Sequence, residues 1–353
     1  MYLKNLLLTN FKNYSQAEIS LSPDINCFVG ANGTGKTNLL DAIYYLCFCK
    51  SYFNSIDSQN INYNKDFFTI EGLFVRNRDK TDTVLCIQKR NERKLFKLNK
   101  KEYERLSDHI GLFPLVIISP SDSNMIYNGS EDRRKYLDGV ISQFDKEYLH
   151  SLINYNKILE HRNALLKQQN FNNTNPEVFE IWDEQLIKYG ELIHNKRKLF
   201  FQKYEPFFQR YYKFINKNKE ELRIEYESQL NQNNFKQLLN CSLNKDIQYQ
   251  YTTTGIHKDD LLFKIGNFPL KKFGSQGQQK SFLIAMKLAQ FDFTKSIIGY
   301  KPVLLFDDLF DKLDDMRIEE LIKLVSGENF GQIIITETHS ERIFKIFRDT
   351  GIN

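Results

Sequence analysis

The sequence has few cysteines and no long hydrophobic run, and both shortages limit the kinds of protein it can encode. Its 353 residues include five cysteines. These form no CxxC pair and no His/Cys cluster with zinc spacing, so neither a disulfide framework nor a zinc knuckle is predicted. No apolar run is long enough to cross a bilayer, and the N-terminal segment has neither the apolar stretch nor the cleavage site of a signal peptide. We therefore expect a cytoplasmic protein without a membrane partner.

A strong excess of one charge is also absent. The chain has 49 Lys and Arg against 44 Asp and Glu, a formal net charge of +5. Affinity for nucleic acid would therefore have to come from local basic patches. With 41% hydrophobic residues, the chain can bury a substantial core as one large domain or two ordinary ones. The composition permits a DNA partner without requiring one.

The hydrophobic pattern divides the chain into three parts. Residues 1–118 contain several strand-like runs and a helix from about Lys36, and we interpret them as the β-rich first part of an α/β head. Residues 119–250 show helical spacing with an Asn-rich break, which predicts a mainly helical insertion lobe. Its two long helices would form an antiparallel hairpin, although amphipathic packing against the head would give the same pattern. Residues 251–353 return to alternating strands and helices, as the second part of the head.

A glycine-rich segment lies between a predicted strand and a predicted helix. It satisfies GxxxxGK[ST] at every fixed position, where an accidental glycine-rich turn would not. Its glycines let backbone N–H groups face the phosphates, Lys36 would neutralise the β- and γ-phosphates, and the Thr37 hydroxyl would ligate Mg²⁺. The predicted ATP-binding residues are Gly30, Ala31, Asn32, Gly33, Thr34, Gly35, Lys36, Thr37 and Asn38.

Two adjacent acids follow an apolar run near the C-terminal end of the sequence. The run VLLF ends in Asp307 and Asp308, as a Walker B strand does. Asp307 would hold Mg²⁺ together with Thr37, and Asp308 would join Lys36 as a catalytic residue by polarising the attacking water. Without a phosphate-binding loop, a strand with a solvated turn would explain the pattern equally well. The loop at Lys36 favours the catalytic interpretation.

A third motif lies between the other two along the chain. The segment FGSQGQQK precedes a long apolar helix and resembles the ABC signature in the SQGQQ form carried by the RecF family. In that superfamily the serine and glycine amides, here Ser275 and Gly277, reach the γ-phosphate held by a second subunit. An ordinary helix N-cap at Ser275 is the alternative. The order of the three motifs favours the signature.

Further segments resemble RecF proteins in the same order, so that the likeness covers nearly the whole chain. They are LTNFKNY, GANGTGKTNLLDAIYYL, SPSDSNMIYNGSEDRRKYLD, TGIHKDDL and FDDLFDKLD. The resemblance implies an ABC/SMC-type P-loop ATPase that forms an ATP-dependent homodimer on double-stranded DNA at single-strand gaps. It implies RecR and RecO as partners, with RecA loading, recombinational repair, replication and the SOS response as the purpose. It also implies a D-loop at residues 309–314 and contact of Lys12 with the nucleotide.

Two departures from the wider ABC pattern concern catalysis. Glu337 stands where many ABC ATPases have a switch histidine, and His339 falls two places later. Asp308 replaces the usual glutamate, and its shorter arm would align water less firmly. The resemblance therefore implies a weak, DNA-stimulated ATPase that acts as a molecular switch.

DNA contacts would have to come from clusters of basic residues. In most proteins such clusters are simply solvent-exposed surface. The candidates are Lys89/Arg90/Arg93/Lys94, Arg133/Arg134/Lys135, Lys196/Arg197/Lys198 and Lys271/Lys272. Arg133 and Arg134 are the pair that we predict first to contact DNA, because they begin a predicted helix in a segment that resembles the RecF family well. No RNP-like or OB-like aromatic pattern predicts stacking of single strands. The rival functions are a transporter ATPase subunit and a monomeric P-loop ATPase.

Overall fold

The computed structural model describes residues 1–77, 80–168, 176–216, 221–308, 315–338, 341 and 347–348. The chain forms two compact units. The first contains Met1–Ser123, Arg210–Asn218 and Gln276–Asn353, and the second contains Asn124–Gln209 and Lys219–Ser275. The second unit thus extends past residue 250 to the residue before the signature helix. The three-part division at residues 118 and 250 stays a prediction.

The strands are β1 (Tyr2–Phe11), β2 (Tyr14–Ser20), β3 (Ile25–Val29), β4 (Phe67–Asn77), β5 (Lys80–Lys89), β6 (Leu95–Leu98), β7 (Lys101–Glu102), β8 (Leu115–Ile118), β9 (Leu222–Glu227), β10 (Asp260–Ile265), β11 (Phe268–Pro269), β12 (Val303–Asp307) and β13 (Ile333–Glu337). The α-helices are α1 (Lys36–Phe48), α2 (Asn124–Tyr127), α3 (Ser130–Ser142), α4 (Lys146–Gln168), α5 (Glu180–Asn216), α6 (Phe235–Tyr249), α7 (Leu270–Phe273), α8 (Gln276–Ile298) and α9 (Asp315–Val325).

A four-stranded parallel sheet in the order β3-β13-β12-β8 forms the centre of the first unit. Every residue of β8, β12 and β13 is buried. Strands covered on both faces read as continuous apolar runs, which is why VLLF is recognisable as a strand in the sequence. The strand predicted before the glycine-rich segment is confirmed as β3, and the predicted helix from Lys36 is confirmed as α1.

A second sheet of the first unit is an antiparallel meander in the order β2-β1-β4-β5-β6-β7. Burial alternates along β5, with Val84 and Cys86 facing inward, as expected for a strand with one packed face. The side chains of β1, β4 and β5 share one core with α1, including Leu6, Leu40 and Ile70. The helix that carries the phosphate-binding loop is thereby anchored on a rigid sheet.

The second unit contains the helical hairpin that the sequence predicted. Contacts between α4 and α5 run in opposite chain directions: Arg162 bonds Asp183 near the turn, and Arg197 bonds Tyr148 further from it. The antiparallel pairing is therefore confirmed. Most of the leucines of α4 are half-buried. The buried residues of this helix are Tyr148, Ser151, Tyr155, Ile158, Arg162 and Leu166.

Two elements of the second unit were not predicted. Strand β9 pairs antiparallel with β10, which pairs in turn with β11. Helix α6 begins at Asn234, whose side chain accepts the N–H of Gln237 as an N-cap. Both elements fall in the stretch interpreted as mainly helical, in which only the two long helices were predicted individually. Among the described residues, no helix combines the length and apolarity needed to cross a membrane.

Candidate nucleotide-binding site

The carboxyl ends of the parallel strands bring the predicted site residues of the first unit together. Strand β13 lies between β3 and β12, with Glu337 opposite Val29 and Thr336 opposite Asp307. The loop at Gly30 therefore follows β3 at the same edge at which β12 ends in Asp307. Open parallel sheets bind ligands at this edge.

The phosphate-binding loop has the backbone that its glycines permit. Gly33 and Gly35 have φ of 83° and 106°, and residues with a Cβ rarely adopt such positive φ values. An added Cβ at Gly33 would point into open space, whereas one at Gly35 would lie 2.5 Å from Asn13 Nδ2. The loop residues from Ala31 to Thr34 are exposed. The loop therefore presents an open concave face to solvent.

Lys36 crosses this loop from the first turn of α1. Its ammonium donates to the carbonyl oxygens of Gly30 at 2.6 Å and Ala31 at 2.9 Å. The Thr34 hydroxyl donates to the same Ala31 carbonyl at 3.0 Å. A positive charge is thus held inside the loop, next to the N-terminus of α1, where both attract an anion.

Asn13 braces the loop from the turn between β1 and β2. Its Nδ2 donates to the Thr34 carbonyl at 3.1 Å, and its Oδ1 accepts from Asn38 Nδ2 at 2.8 Å. The neighbouring Tyr14 hydroxyl donates to the Gly35 carbonyl at 3.2 Å. Sequence reasoning noticed the LTNFKNY segment but selected only Lys12 from it. Asn13 is the residue of this segment that bonds both Thr34 in the loop and Asn38 in the first turn of α1.

Thr37 and Asp307 meet across the sheet edge. The Thr37 hydroxyl donates to Asp307 Oδ1 at 2.9 Å, and the Thr336 hydroxyl lies 3.0 Å from the same oxygen. Ser119, which follows β8, approaches Asp307 Oδ2 at 3.4 Å. Burial raises the pKa of Asp307, while the three hydroxyl groups and the charge of Lys36 oppose that rise. A buried carboxylate whose charge is disfavoured gains from a nearby cation.

Asp308 has a backbone conformation unusual for its residue type. Its φ is 45°, in the left-handed region, and its N–H donates to the Thr336 hydroxyl at 3.1 Å. Successive side chains of a strand face opposite sides, so this turn of the chain gives Asp308 a direction that a continuing strand would not. Strained backbone of this kind concentrates at functional sites.

Lys12 has a carboxylate partner in this structure. Its ammonium lies 2.6 Å from Oδ2 of Asp41, a fully buried residue of α1. Asp41 also accepts the Ser51 hydroxyl and the N–H of Tyr52. The ion pair joins the β1–β2 turn to α1, and contact of Lys12 with a nucleotide stays a prediction.

The remaining residues singled out in the sequence lie at the start of α8, at the end of β13 or outside the described chain. Ser275 is exposed directly before α8, and Gly277 lies in the first turn of that helix. Glu337 is fully buried, and its carbonyl accepts the N–H of Gly30 at 3.2 Å. The predicted D-loop, residues 309–314, and His339 lie outside the described residues.

Arg133 and Arg134 have partners within the second unit. The Arg133 guanidinium bonds both carboxylate oxygens of Asp260, at 2.6 and 2.9 Å. It also donates to the carbonyls of Met125 and Asn128, while Arg134 donates to the Asp259 carbonyl at 2.7 Å. These contacts give Arg133 in particular a structural role, and its contact with DNA stays a prediction.

Comparisons with known proteins identify the family of this chain and agree with its fold. The family model of the RecF/RecN/SMC N terminal domain matches residues 2–351. DNA replication and repair protein RecF of Flavobacterium johnsoniae is 49% identical over 351 residues, which cover 99% of this chain and 98% of that protein. The chain belongs to the RecF family. The resemblance inferred from the motifs is therefore confirmed.

Solved structures support the same assignment. A structure of the recombination mediator protein RecF-ATP in the RecFOR pathway is 30% identical, with a TM-score of 0.89 and coverage of 96% of this chain and 93% of that one. An SMC head bound to the C-terminal winged-helix domain of ScpA is 16% identical with a TM-score of 0.57, covering 98% of this chain and 91% of that one, and shares the fold alone. The predicted ABC/SMC-type head with a helical insertion is confirmed.

Proposed function

We propose that this RecF-family chain binds ATP, dimerises on duplex DNA near single-strand gaps, and helps direct RecA loading in recombinational repair, replication and the SOS response. Membership of the family supports the repair role. The observation that carries the ATP site is the 2.9 Å bond between Thr37 and Asp307, because it joins the phosphate-binding loop to the acidic strand end.

The residues present fit Mg²⁺ and a nucleotide. Mg²⁺ prefers oxygen ligands and keeps several waters, and the Thr37 hydroxyl and the Asp307 carboxylate provide adjacent oxygens. Bound Mg²⁺ would neutralise charge on the β- and γ-phosphates. Lys36 would exchange its two carbonyl partners for phosphate oxygens, and the N–H groups of residues 30–38 would line the phosphates. The raised pKa of Asp307 supports a cation as its partner.

Hydrolysis would depend on Asp308 and Lys36. Asp308, turned out of the strand by its left-handed backbone, would orient and polarise water for attack on the γ-phosphate. Its arm is one methylene shorter than that of a glutamate, so we expect imprecise alignment and slow turnover. A slow ATPase that acts as a switch suits a protein whose product is an assembly on DNA.

Dimerisation would complete the site. Ser275 and Gly277, at the start of α8, would offer a hydroxyl and backbone N–H groups to the γ-phosphate bound by the other subunit. In a symmetric dimer each subunit gives and receives the same contact. RecR and RecO, in the cytoplasm, are the further partners proposed from the family.

The two rival functions have less support. A transporter subunit lacks the long interruption between the phosphate-binding loop and the signature that the second unit occupies here. A monomeric P-loop ATPase has no use for an exposed Ser275 segment.

Variants of Asp308 and Ser275 test the proposal together. Asp308→Asn should retain ATP binding but slow hydrolysis by about 100-fold or more, so that the ATP-bound dimer persists on DNA. Ser275→Arg should bind ATP as a monomer and fail to pair, and the double variant should behave like Ser275→Arg. Lys36→Ala, which removes the cation of the loop, is the control that should not bind ATP.

Light scattering with ATP and duplex DNA distinguishes these states, and nucleotide titration measures binding separately. If Ser275→Arg dimerised and hydrolysed ATP like the parent, the two-subunit mechanism would be wrong. A monomeric P-loop ATPase would then be the better description.

A further inference from the structure

A row of two exposed tyrosines and two lysines lies at the end of α6 in the second unit. Tyr249 and Tyr251 are 50% and 45% exposed. Their rings stack with centroids 5.9 Å apart and planes inclined by 20°. The Lys245 ammonium lies 5.9 Å from the Tyr249 centroid, and that of Lys258 lies 4.9 Å from the Tyr251 centroid. We call these four residues the Tyr–Lys strip.

The turn that ends α6 creates the strip. Gln250 has a left-handed φ of 60°, and its N–H donates to the Ile247 carbonyl at 3.3 Å. This C-cap conformation reverses the chain after Tyr249, so that Tyr251 lies beside Tyr249 instead of continuing around the helix. Helical periodicity would not place residues 249 and 251 side by side, which explains why the helical pattern of this stretch gave no sign of the pair.

The cations of the strip have no acidic partner in the described part of the chain. No ion pair there involves Lys245 or Lys258, whereas Lys264 and Lys196 in the same unit are paired with carboxylates. Asp246, next to Lys245 in sequence, is fully buried and bonds Arg162 instead. The strip therefore presents two ammonium groups that form no ion pair among the described residues and can attract an anionic ligand.

Lys258 lies near charges of both signs. Burial and the nearby charge of Arg134 lower the pKa of Lys258, and the charge of Asp246 opposes that change. His257, which bonds the Tyr155 hydroxyl and the Thr252 carbonyl, is kept neutral because burial lowers its pKa to about 4. Arg134 donates to the Asp259 carbonyl and interacts with the charges of Asp260, Asp138 and Asp259. The positive charge of the strip therefore comes from its own two lysines.

We propose that the Tyr–Lys strip binds unpaired nucleotides of single-stranded DNA. Exposed aromatic rings stack on bases of any sequence, and flanking cations attract the phosphates between them. Bases inside a duplex are already stacked and paired, so a duplex could use the lysines but not the rings. An acidic peptide would likewise leave the rings unused. This inference rests on the proposed DNA-binding function and adds to it a contact for the single-stranded side of a gap.

Binding of labelled oligonucleotides by the full chain tests the strip. Fluorescence anisotropy would compare an oligothymidylate of about 15 nucleotides with a duplex of equal length. Tyr249→Ala combined with Tyr251→Ala should weaken single-strand binding about tenfold, which corresponds to the loss of one stacked base. Duplex binding should change less than about twofold, because phosphate contacts dominate it.

Matched variants separate stacking from other effects. Tyr249→Phe with Tyr251→Phe keeps both rings and should bind like the parent. Tyr63→Ala removes a tyrosine that is 86% exposed in the first unit and should have no effect. Thermal unfolding of each variant shows whether it is folded.

A second pair of variants tests the lysines. Lys245→Ala with Lys258→Ala should lower the salt slope of single-strand binding by about 1.4, from 0.7 per phosphate contact. Lys157→Ala with Lys188→Ala, two exposed lysines of α4 and α5, should retain the parental slope.

Three outcomes would overturn the inference: unchanged single-strand binding in the Tyr→Ala pair, an equal loss for single strand and duplex, or no single-strand binding by the parent. The last would leave the strip to an acidic protein partner. Light scattering of the same variants with ATP and duplex DNA keeps the two proposals distinct. If the parent dimerises and the Tyr→Ala double variant still binds single strands normally, the role of the Tyr–Lys strip is refuted and the proposed dimerisation is not.

Discussion

Replacing Lys287 by Met should destabilise the first unit more than any surface substitution nearby. Lys287 lies on α8 with 4% of its side chain exposed, and its ammonium is 2.7 Å from Oδ1 of Asp122, which is 3% exposed. Asp122 also accepts the Tyr52 hydroxyl and the N–H of Ser119. Methionine keeps the unbranched stem but removes the charge. It leaves the carboxylate buried with neutral donors only.

The magnitude follows from the uncompensated charge. Breaking a buried pair by removing one partner costs about 3–5 kcal/mol. We expect the lower end, about 3 kcal/mol, since two donors to Asp122 remain. Adding Asp122→Asn should recover at least half of this loss, because the stranded charge disappears. Lys323→Met is the control: its pair with Glu319 is exposed on both sides and is worth only about 0.5 kcal/mol.

Urea unfolding followed by circular dichroism measures these differences, with ATP titration as an independent check of the folded state. The two compact units require a test for a single transition before free energies are extracted. A loss below about 1 kcal/mol for Lys287→Met, or no recovery in the double variant, would refute the buried ion pair as the cause.

Two further predictions concern charges at the candidate sites. Because burial raises the pKa of Asp307 above its unfolded value, the stability that its neutral form contributes is present at acid pH and lost as the pH rises through the folded-state pKa. Asp307→Asn should therefore raise the melting temperature of the nucleotide-free protein at neutral pH, with a smaller gain at acid pH. It should also abolish the Mg²⁺ dependence of ATP binding. A lower melting temperature of this variant at neutral pH would contradict the prediction. Arg133→Ala with Arg134→Ala should cost about 2–4 kcal/mol through the lost Asp260 bonds. The salt slope of DNA binding should fall by about two if the pair also contacts phosphates, and an unchanged slope would leave the pair a structural role alone.

Motifs with fixed spacing allowed the nucleotide site to be predicted from the sequence. The loop from Gly30 to Thr37 and the acid pair after β12 have local signatures, and parallel strands bring such ends to one edge. The partners that tune Asp307 could not be found this way. Ser119 and Thr336 lie far from it in sequence, and each is a common residue whose relevance appears only when strand order is known.

The second unit shows a different limit of sequence reasoning. Apolar spacing correctly predicted the hairpin of α4 and α5, but not that Arg162 and Arg197 would be buried on their facing sides. A charged residue on a helix is expected at the surface, and only its partners change that. Asp246 and Asp259 come from outside the hairpin. Asp246 accepts from the Arg162 guanidinium, and Asp259 accepts from the Arg197 guanidinium. The Lys196–Arg197–Lys198 cluster, a candidate DNA surface by sequence, therefore contains a residue that no DNA phosphate can reach.

The contacts of Asp122 connect these observations to the proposed cycle. Asp122 holds the N–H of Ser119, whose hydroxyl approaches Asp307, and it pairs with Lys287 of α8. Helix α8 begins at Gln276, directly after Ser275. Asp307, the proposed metal ligand, and α8, which follows the proposed signature, are thus linked through the buried carboxylate of Asp122 within the first unit. A rigid link of this kind would hold α8 in a fixed orientation relative to the bound nucleotide. Two-site closure requires such an orientation, because each subunit must present its signature and its phosphates in register with those of its partner.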